Sequence, residues 1–166
     1  MQKLGDILIN MGAITPEQLE VALREQKIVG KRLGEYLVCN DIIDEGTLLD
    51  ALAKQYSYDI VKLDESQLDY ELLNRFSIEF LNEHKLLPYK CDGEKVYVAL
   101  ADPVDIAGMT EVSDLIGKRT VGLLCLESDV QLHIDALTVR RDRGLVERVV
   151  SLEKRVDYLE KMLQNK

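Results

Sequence analysis

Residues 3–26 read KLGDILINMGAITPEQLEVALREQ, and residues 32–55 read RLGEYLVCNDIIDEGTLLDALAKQ. Aligned at an offset of 29, the two stretches are identical at 8 of 24 positions, with conservative Lys/Arg, Asp/Glu and Ile/Val pairs besides. An internal repeat constrains the whole fold, because each copy buries its apolar face against a neighbour. Within each copy the spacing predicts two helices. Leu4, Ile7, Leu8 and Met11 recur at helical intervals, and Gly12 then breaks the run. Thr15 is placed to cap a second helix, with Pro16 at its first position and Gln18 three residues past the cap. Leu19, Leu23 and Gln26 share one face of that helix. In the second copy Asp44 takes the capping role ahead of Leu48, Leu52 and Gln55. Two helical hairpins related by a pseudo-two-fold are expected.

Leucines at these intervals would be explained by a shared core alone. The repeated polar residues carry more information. A basic residue and a Leu-Gly step open each copy: Lys3, Leu4 and Gly5, then Arg32, Leu33 and Gly34. A glutamine closes each, Gln26 and Gln55. Glycine beside leucine permits close backbone approach to a ligand. Basic side chains suit phosphate oxygens and guanine edges, and an amide both donates and accepts. A duplicated site of this kind suits a ligand with its own two-fold symmetry.

Beyond the repeat, residues 58–63 read as a short strand or an extended connector. Two short helices follow over residues 69–73 and 77–81, each opening on a capping candidate, Asp69 and Ser77. Residues 86–90 and 95–100 alternate as strands on either side of Asp92-Gly93, a hairpin signal. Asp102-Pro103 ends the second strand. A helix to about residue 116, a strand over 119–126 and a helix over 128–137 complete a small α/β layer.

The last segment differs in kind. From Leu145 the apolar residues step by 4, 3, 4, 3 and 4 through Val149, Leu152, Val156, Leu159 and Leu163. That is a heptad seam with valine or leucine at a and leucine at d, a pattern that favours two parallel strands. Arg148 and Arg155 fall at g, and Glu153 and Glu160 at the following e positions, so a parallel partner would meet opposite charges. Exposed pairs of this kind contribute about 0.2–1 kcal/mol each and select orientation more than they stabilise. A single helix docked on its own domain is the alternative, though its apolar stripe would be wider. The basic run Arg140, Arg141 and Arg143 reads as a solvated helix start, with acidic lipid or a partner as other uses.

The chain has 166 residues, 21 basic and 30 acidic, for a net charge of −9. That balance argues against a nucleic-acid backbone as the main partner. By region, residues 1–55 carry −3, residues 56–137 carry −9 and residues 138–166 carry +3. The acidic total therefore does not count against an anionic ligand at the repeat. No apolar run is long enough for a membrane span, and no signal-peptide core follows Met1. Three cysteines without paired spacing fit free thiols in a reducing cytosol, and a cytoplasmic location is expected. No phosphate-loop motif is present: Gly117-Lys118 has Val112 where the first glycine should stand. His84 and His133 sit in no triad or metal spacing and read as surface polar residues. No catalytic constellation or metal site is legible, and no cofactor or enzymatic activity is expected.

The pattern R-L-G-x-x-(L/V/I)₂-x-x-G-(L/V/I)₂-x₄-L-x₃-L-x₂-Q, twice, with residues 27–31 as spacer, resembles the MshEN domain. This is the N-terminal domain of type II secretion and type IV pilus assembly ATPases, also called the GspE N-terminal domain. Residues 87–103 also resemble the family, through its LP…V-A-x-x-D-P pattern. Many members bind the symmetric messenger cyclic di-GMP. The resemblance implies a non-catalytic cyclic di-GMP sensor or adaptor without the ATPase motor. It also implies a site of Lys3, Leu4, Gly5, Leu19, Leu23, Gln26, Arg32, Leu33, Gly34, Leu48, Leu52 and Gln55, with Asp102 added from the Asp-Pro step. An Asp102 carboxylate would accept the guanine N1–H and N2–H₂ pair. Its other reading is a turn former before Pro103 or a helix cap, with Asp105 as the competing cap. Three positions depart from the pattern: Lys3 for arginine, Ala13 for a larger aliphatic, and Asp41 for glycine. The alternative function is an interaction adaptor of a secretion, pilus or polysaccharide export system that binds no nucleotide.

The expected architecture is α+β: a duplicated helical-hairpin module over 1–55, a small α/β subdomain over 56–137, and a coiled-coil helix over 138–166. The expected partners are cyclic di-GMP, a second copy through residues 145–163, and a secretion or pilus protein, without DNA or RNA.

Overall fold

The computed structural model describes residues 2–164, with side chains described through residue 156. Four helices build the duplicated module: α1 (Leu4–Asn10), α2 (Pro16–Val29), α3 (Leu33–Cys39) and α4 (Glu45–Tyr56). α2 starts at a complete capping box. The Thr15 hydroxyl accepts from Gln18 N at 3.2 Å, and Thr15 N donates to Gln18 Oε1 at 2.8 Å. α4 starts where Asp44 accepts from Thr47 N at 2.6 Å. Both hairpins turn through a left-handed residue at the same repeat position, Gly12 with φ 70° and Asp41 with φ 54°. Aspartate is one of the few residues other than glycine that takes this conformation readily, so the departure at Asp41 leaves the turn intact.

The two copies exchange faces. α1 packs against α4, and α2 against α3. Their shared core holds Leu8 and Leu37, equivalent in the repeat and both fully buried, with Ile14 and its equivalent Ile43 beside them.

The second unit is a three-stranded mixed sheet in the order β1-β2-β3. α5 (Tyr70–Leu73) and α6 (Ile78–His84) lead into β1 (Leu86–Asp92), and β2 (Lys95–Leu100) returns antiparallel to it. Asp92 pairs with Lys95, so the strands run further than the sequence predicted, and Gly93-Glu94 form the two-residue loop with Gly93 at φ 55°. The crossover helix α7 (Ile106–Ile116) then places β3 (Arg119–Leu124) parallel to β2. The 58–63 segment is an extended connector that touches the sheet at one bridge, Ile60 with Leu124. The fold class is α+β.

The last helix, α8 (Glu127–Gln164), is 38 residues long and passes position 138 without a break. Val130, Ile134 and Leu137 bury one face of its first turns against the sheet. The basic run that followed in the sequence is not a free helix start. Arg141 donates to the carbonyls of Leu73 at 2.9 Å and Phe76 at 3.0 Å, and to Asn74 Oδ1 at 3.2 Å. The Arg140 guanidinium lies 3.9 Å from the centre of the Tyr70 ring. These arginines staple α8 to α5 and the turn after it: Arg141 shares the Leu73 carbonyl with Phe76 N and also donates to the Phe76 carbonyl, cationic donors at a helix C-terminus. Through Val156 no later residue of α8 is buried.

His84 is likewise more than a surface residue. Its side chain is 18% exposed, its ring lies 4.7 Å from that of Phe80, and its Nδ1 is 2.9 Å from Asp105 Oδ2. The other Asp105 oxygen caps α7 by accepting from Gly108 N at 3.0 Å. A Cβ on Gly108 would press on the Asp105 carboxylate while meeting His84 Nδ1 and Leu86 Cδ2, each at 2.7 Å. The carboxylate cannot retreat without losing its cap and its histidine. Gly108→Ala is therefore expected to lower stability by about 1–3 kcal/mol, read from urea unfolding, and a neutral result would refute this packing.

Candidate ligand-binding site

Lys3 and Arg32 occupy the same position, the residue before α1 and α3, and neither side chain caps its own helix. Both are exposed. Arg32 has found a partner 70 positions away: its Nη1 donates to Asp102 Oδ2 at 2.6 Å. Asp102 leaves the end of β2, and its second oxygen accepts from Val104 N at 3.1 Å. That turn bond fixes the carboxylate so that one oxygen faces the module. Asp102 is thus a turn former and an arginine partner at once, while the helix cap belongs to Asp105. The neighbouring carboxylate holds the Arg32 guanidinium above its ordinary pKa, chiefly by hydrogen bonding and then by charge.

The glutamines close the crossed arrangement. Gln55 Nε2 donates to the Gln2 carbonyl at 3.1 Å, which ties the end of the second copy to the residue before Lys3. The Gln26 carbonyl accepts from Lys31 N at 3.2 Å, next to Arg32. Each basic residue therefore follows a position held by the glutamine of the other copy or its backbone.

Gly5 and Gly34 do permit a close approach, but here it comes from the protein. Cβ atoms built on them would meet the Leu19 and Leu48 side chains, both at 2.7 Å. The leucines seat each second helix on the first, so packing by itself accounts for both glycines, and a Cβ at either would force its leucine to shift. Leu4 and Leu33 are half-buried, Leu23 lies open, and Leu52 faces the second unit.

Between α3, α4 and the start of α8 lies a groove of about 630 Å³, lined by Leu48 and Leu52 together with Lys31, Lys85, Ser128 and Gln131. Ala101, beside Asp102, borders it. Lys85 pairs with Glu127 at its edge. Ser128 donates from its amide at 3.0 Å and its hydroxyl at 2.8 Å to the two oxygens of Glu45. Glu45 therefore caps the helix of another unit across 83 positions, a role no local pattern announces. Burial pushes the Cys125 thiol at the groove floor up to about 11, so it stays protonated at neutral pH and is a poor nucleophile. Among the described residues no cluster of histidine, cysteine or carboxylate could hold a metal ion. Among them, too, no helix is long and apolar enough to cross a membrane.

The MshEN domain family matches residues 56–144, the sheet unit and the anchored part of α8. The type IV pilus assembly ATPase PilB of Myxococcus xanthus is 27% identical over 133 residues, 80% of this chain and 24% of the relative. PilB of Thermus thermophilus is 29% identical over 118 residues, 70% of this chain and 13% of the relative. The chain thus spans a quarter or less of the curated relatives it matches. Among solved structures, that of MshE with cdg superposes with a TM-score of 0.72 at 25% identity, covering 82% of this chain and 99% of that one. The N-terminal domain of XpsE, at 20% identity and a TM-score of 0.62, covers 81% of this chain and 97% of its own, and shares the fold. The family match falls on the sheet unit and the MshE superposition reaches most of the chain, so this protein belongs to the MshEN domain family.

Proposed function

We propose that this chain binds cyclic di-GMP and acts as a non-catalytic sensor or adaptor. One observation carries the reading: Arg32 and Asp102, expected as ligand contacts on separate grounds, meet at 2.6 Å between the helical module and the sheet. A guanidinium there offers a planar fork to a phosphate or a guanine edge. A carboxylate there accepts the guanine N1–H and N2–H₂ pair. The two satisfy each other, and a ligand carrying both complementary groups takes over both roles without leaving a charge unpaired. Lys3 supplies the corresponding point charge on the first copy. Gln26 and Gln55 offer amide contacts, and Leu4, Leu19, Leu23, Leu33, Leu48 and Leu52 cover the base faces beside Gly5 and Gly34. In this reading residues 1–55 hold the ligand, residues 56–137 contribute Asp102, and residues 138–166 carry the output. The messenger is met in the cytoplasm, where this reading places the protein. The likeness to MshE with cdg supports the choice of ligand.

Isothermal titration of the full chain with cyclic di-GMP tests this. Saturable heat with an upward shift in melting temperature is expected at about 100 μM ligand. No heat and no shift would sink the proposal.

The second reading is an adaptor for a secretion, pilus or polysaccharide export system that binds no nucleotide. It is favoured by the way Leu19 and Leu48 already fill the space over the two glycines. It predicts partner capture that survives Arg32→Ala.

A further inference from the structure

We infer that residues 145–163 join two copies of this chain in a parallel two-stranded coiled coil. Three observations meet here. First, α8 leaves the body abruptly. Its last buried residue is Leu137 and its last anchoring contacts are those of Arg141, and the seam begins at Leu145, one turn later. Second, the chain does not cover this seam itself. Leu145 is 58% exposed, Val149 52%, Leu152 58% and Val156 53%. Solvated apolar residues at alternating steps of 4 and 3, with Val146 and Val150 exposed on their flank, form the stripe that a second helix fills by knobs-into-holes packing. Leu159, Leu163 and Glu160 continue the pattern in the sequence, but their side chains lie outside the described residues.

Third, the flanking charges choose the occupant and its direction. With Val149 and Val156 at a and Leu145 and Leu152 at d, Arg148 and Arg155 fall at g and Glu153 and Glu160 at e, behind Val146 at the first e position. A parallel copy brings Arg148 to Glu153 of the other strand and Arg155 to Glu160. An antiparallel copy sets g against g and e against e, which brings arginine onto arginine and glutamate onto glutamate at the charged positions. β-branched a positions with leucine at d favour two strands over three or four. A partner of different sequence would need its own complementary seam, whereas a second copy supplies every element already on the page.

Light scattering of the full chain across concentration is the test. At about 100 μM the expected mass is twice the 18.9 kDa of one chain, falling toward one chain on dilution because only about three heptads contribute. Leu152→Asp should give a single chain at the same concentration with the globular body still melting cooperatively, since Leu152 lies in neither core. A single-chain mass for the parent protein overturns the proposal, as does a dimer that persists in Leu152→Asp, and a trimer overturns the two-stranded form. For direction, Leu145→Cys in a Cys39→Ser, Cys91→Ser background should cross-link to itself under oxidation. A dimer that fails to cross-link there is not parallel.

Discussion

Arg32→Ala is expected to weaken cyclic di-GMP binding by about 100-fold or more. A guanidinium that makes two charge-assisted bonds to a phosphate or guanine edge contributes about 1.5–3 kcal/mol for each, and about 2.7 kcal/mol corresponds to 100-fold. The loss is compounded because Asp102 would be left as an unneutralised carboxylate facing an anionic ligand. Unliganded stability should change by no more than about 1 kcal/mol, since the Arg32 side chain is 67% exposed and ion pairs of this kind contribute little. That separation makes the variant informative: titration heat disappears while the melting curve stays. Arg32→Lys should fall between, keeping the charge and losing the fork. Unchanged affinity in Arg32→Ala would remove Arg32 from the site and with it the main support for the proposed ligand geometry.

Leu37→Ala is expected to cost about 2–5 kcal/mol of folding stability, and Leu8→Ala a similar amount. Both side chains are fully buried in the small core shared by the four repeat helices, where few neighbours are available to collapse into the space. Against the roughly 5–15 kcal/mol of a typical domain, either loss is large. Urea unfolding measures it. The two positions are equivalent at the repeat offset, so the two losses should agree to within about 1 kcal/mol. A heavy cost at one and none at the other would contradict the exchange of faces by which α1 meets α4 and α2 meets α3.

The local grammar of this fold was legible in the sequence. Thr15, Asp44, Asp69 and Ser77 cap the helices they were expected to cap, because a capping side chain needs only amides two or three residues away. The Asp92-Gly93 signal placed the hairpin, and the repeat announced the paired hairpins. What was not legible acts at a distance. Nothing near Glu45 indicates that its carboxylate caps α8, and nothing near Arg141 points to the carbonyls of Leu73 and Phe76. His84 looked like surface because its partner Asp105 lies 21 positions on. The glycines were misleading in a different way. Their spacing correctly signalled close approach, but the sequence could not say that the approaching groups are Leu19 and Leu48. Asp102 was identified as a contact through a family pattern, whereas its pairing with Arg32 emerges only from the folded chain.

The unbroken course of α8 also fixes an angle. A helix turns about 100° per residue, which puts the seam from Leu145 to Val156 about 60° around the axis from the stripe Val130, Ile134 and Leu137 that grips the sheet. A second helix seated on that seam therefore approaches from a side adjacent to the body rather than opposite to it. The heptad positions before Leu145 fall on Asp142, Thr138 and Asp135, and these polar residues end the apolar seam before the buried stripe begins. Two copies joined in parallel would hold their bodies side by side at one end of the coil. The rotational phase of α8 would then set how the two helical modules face each other.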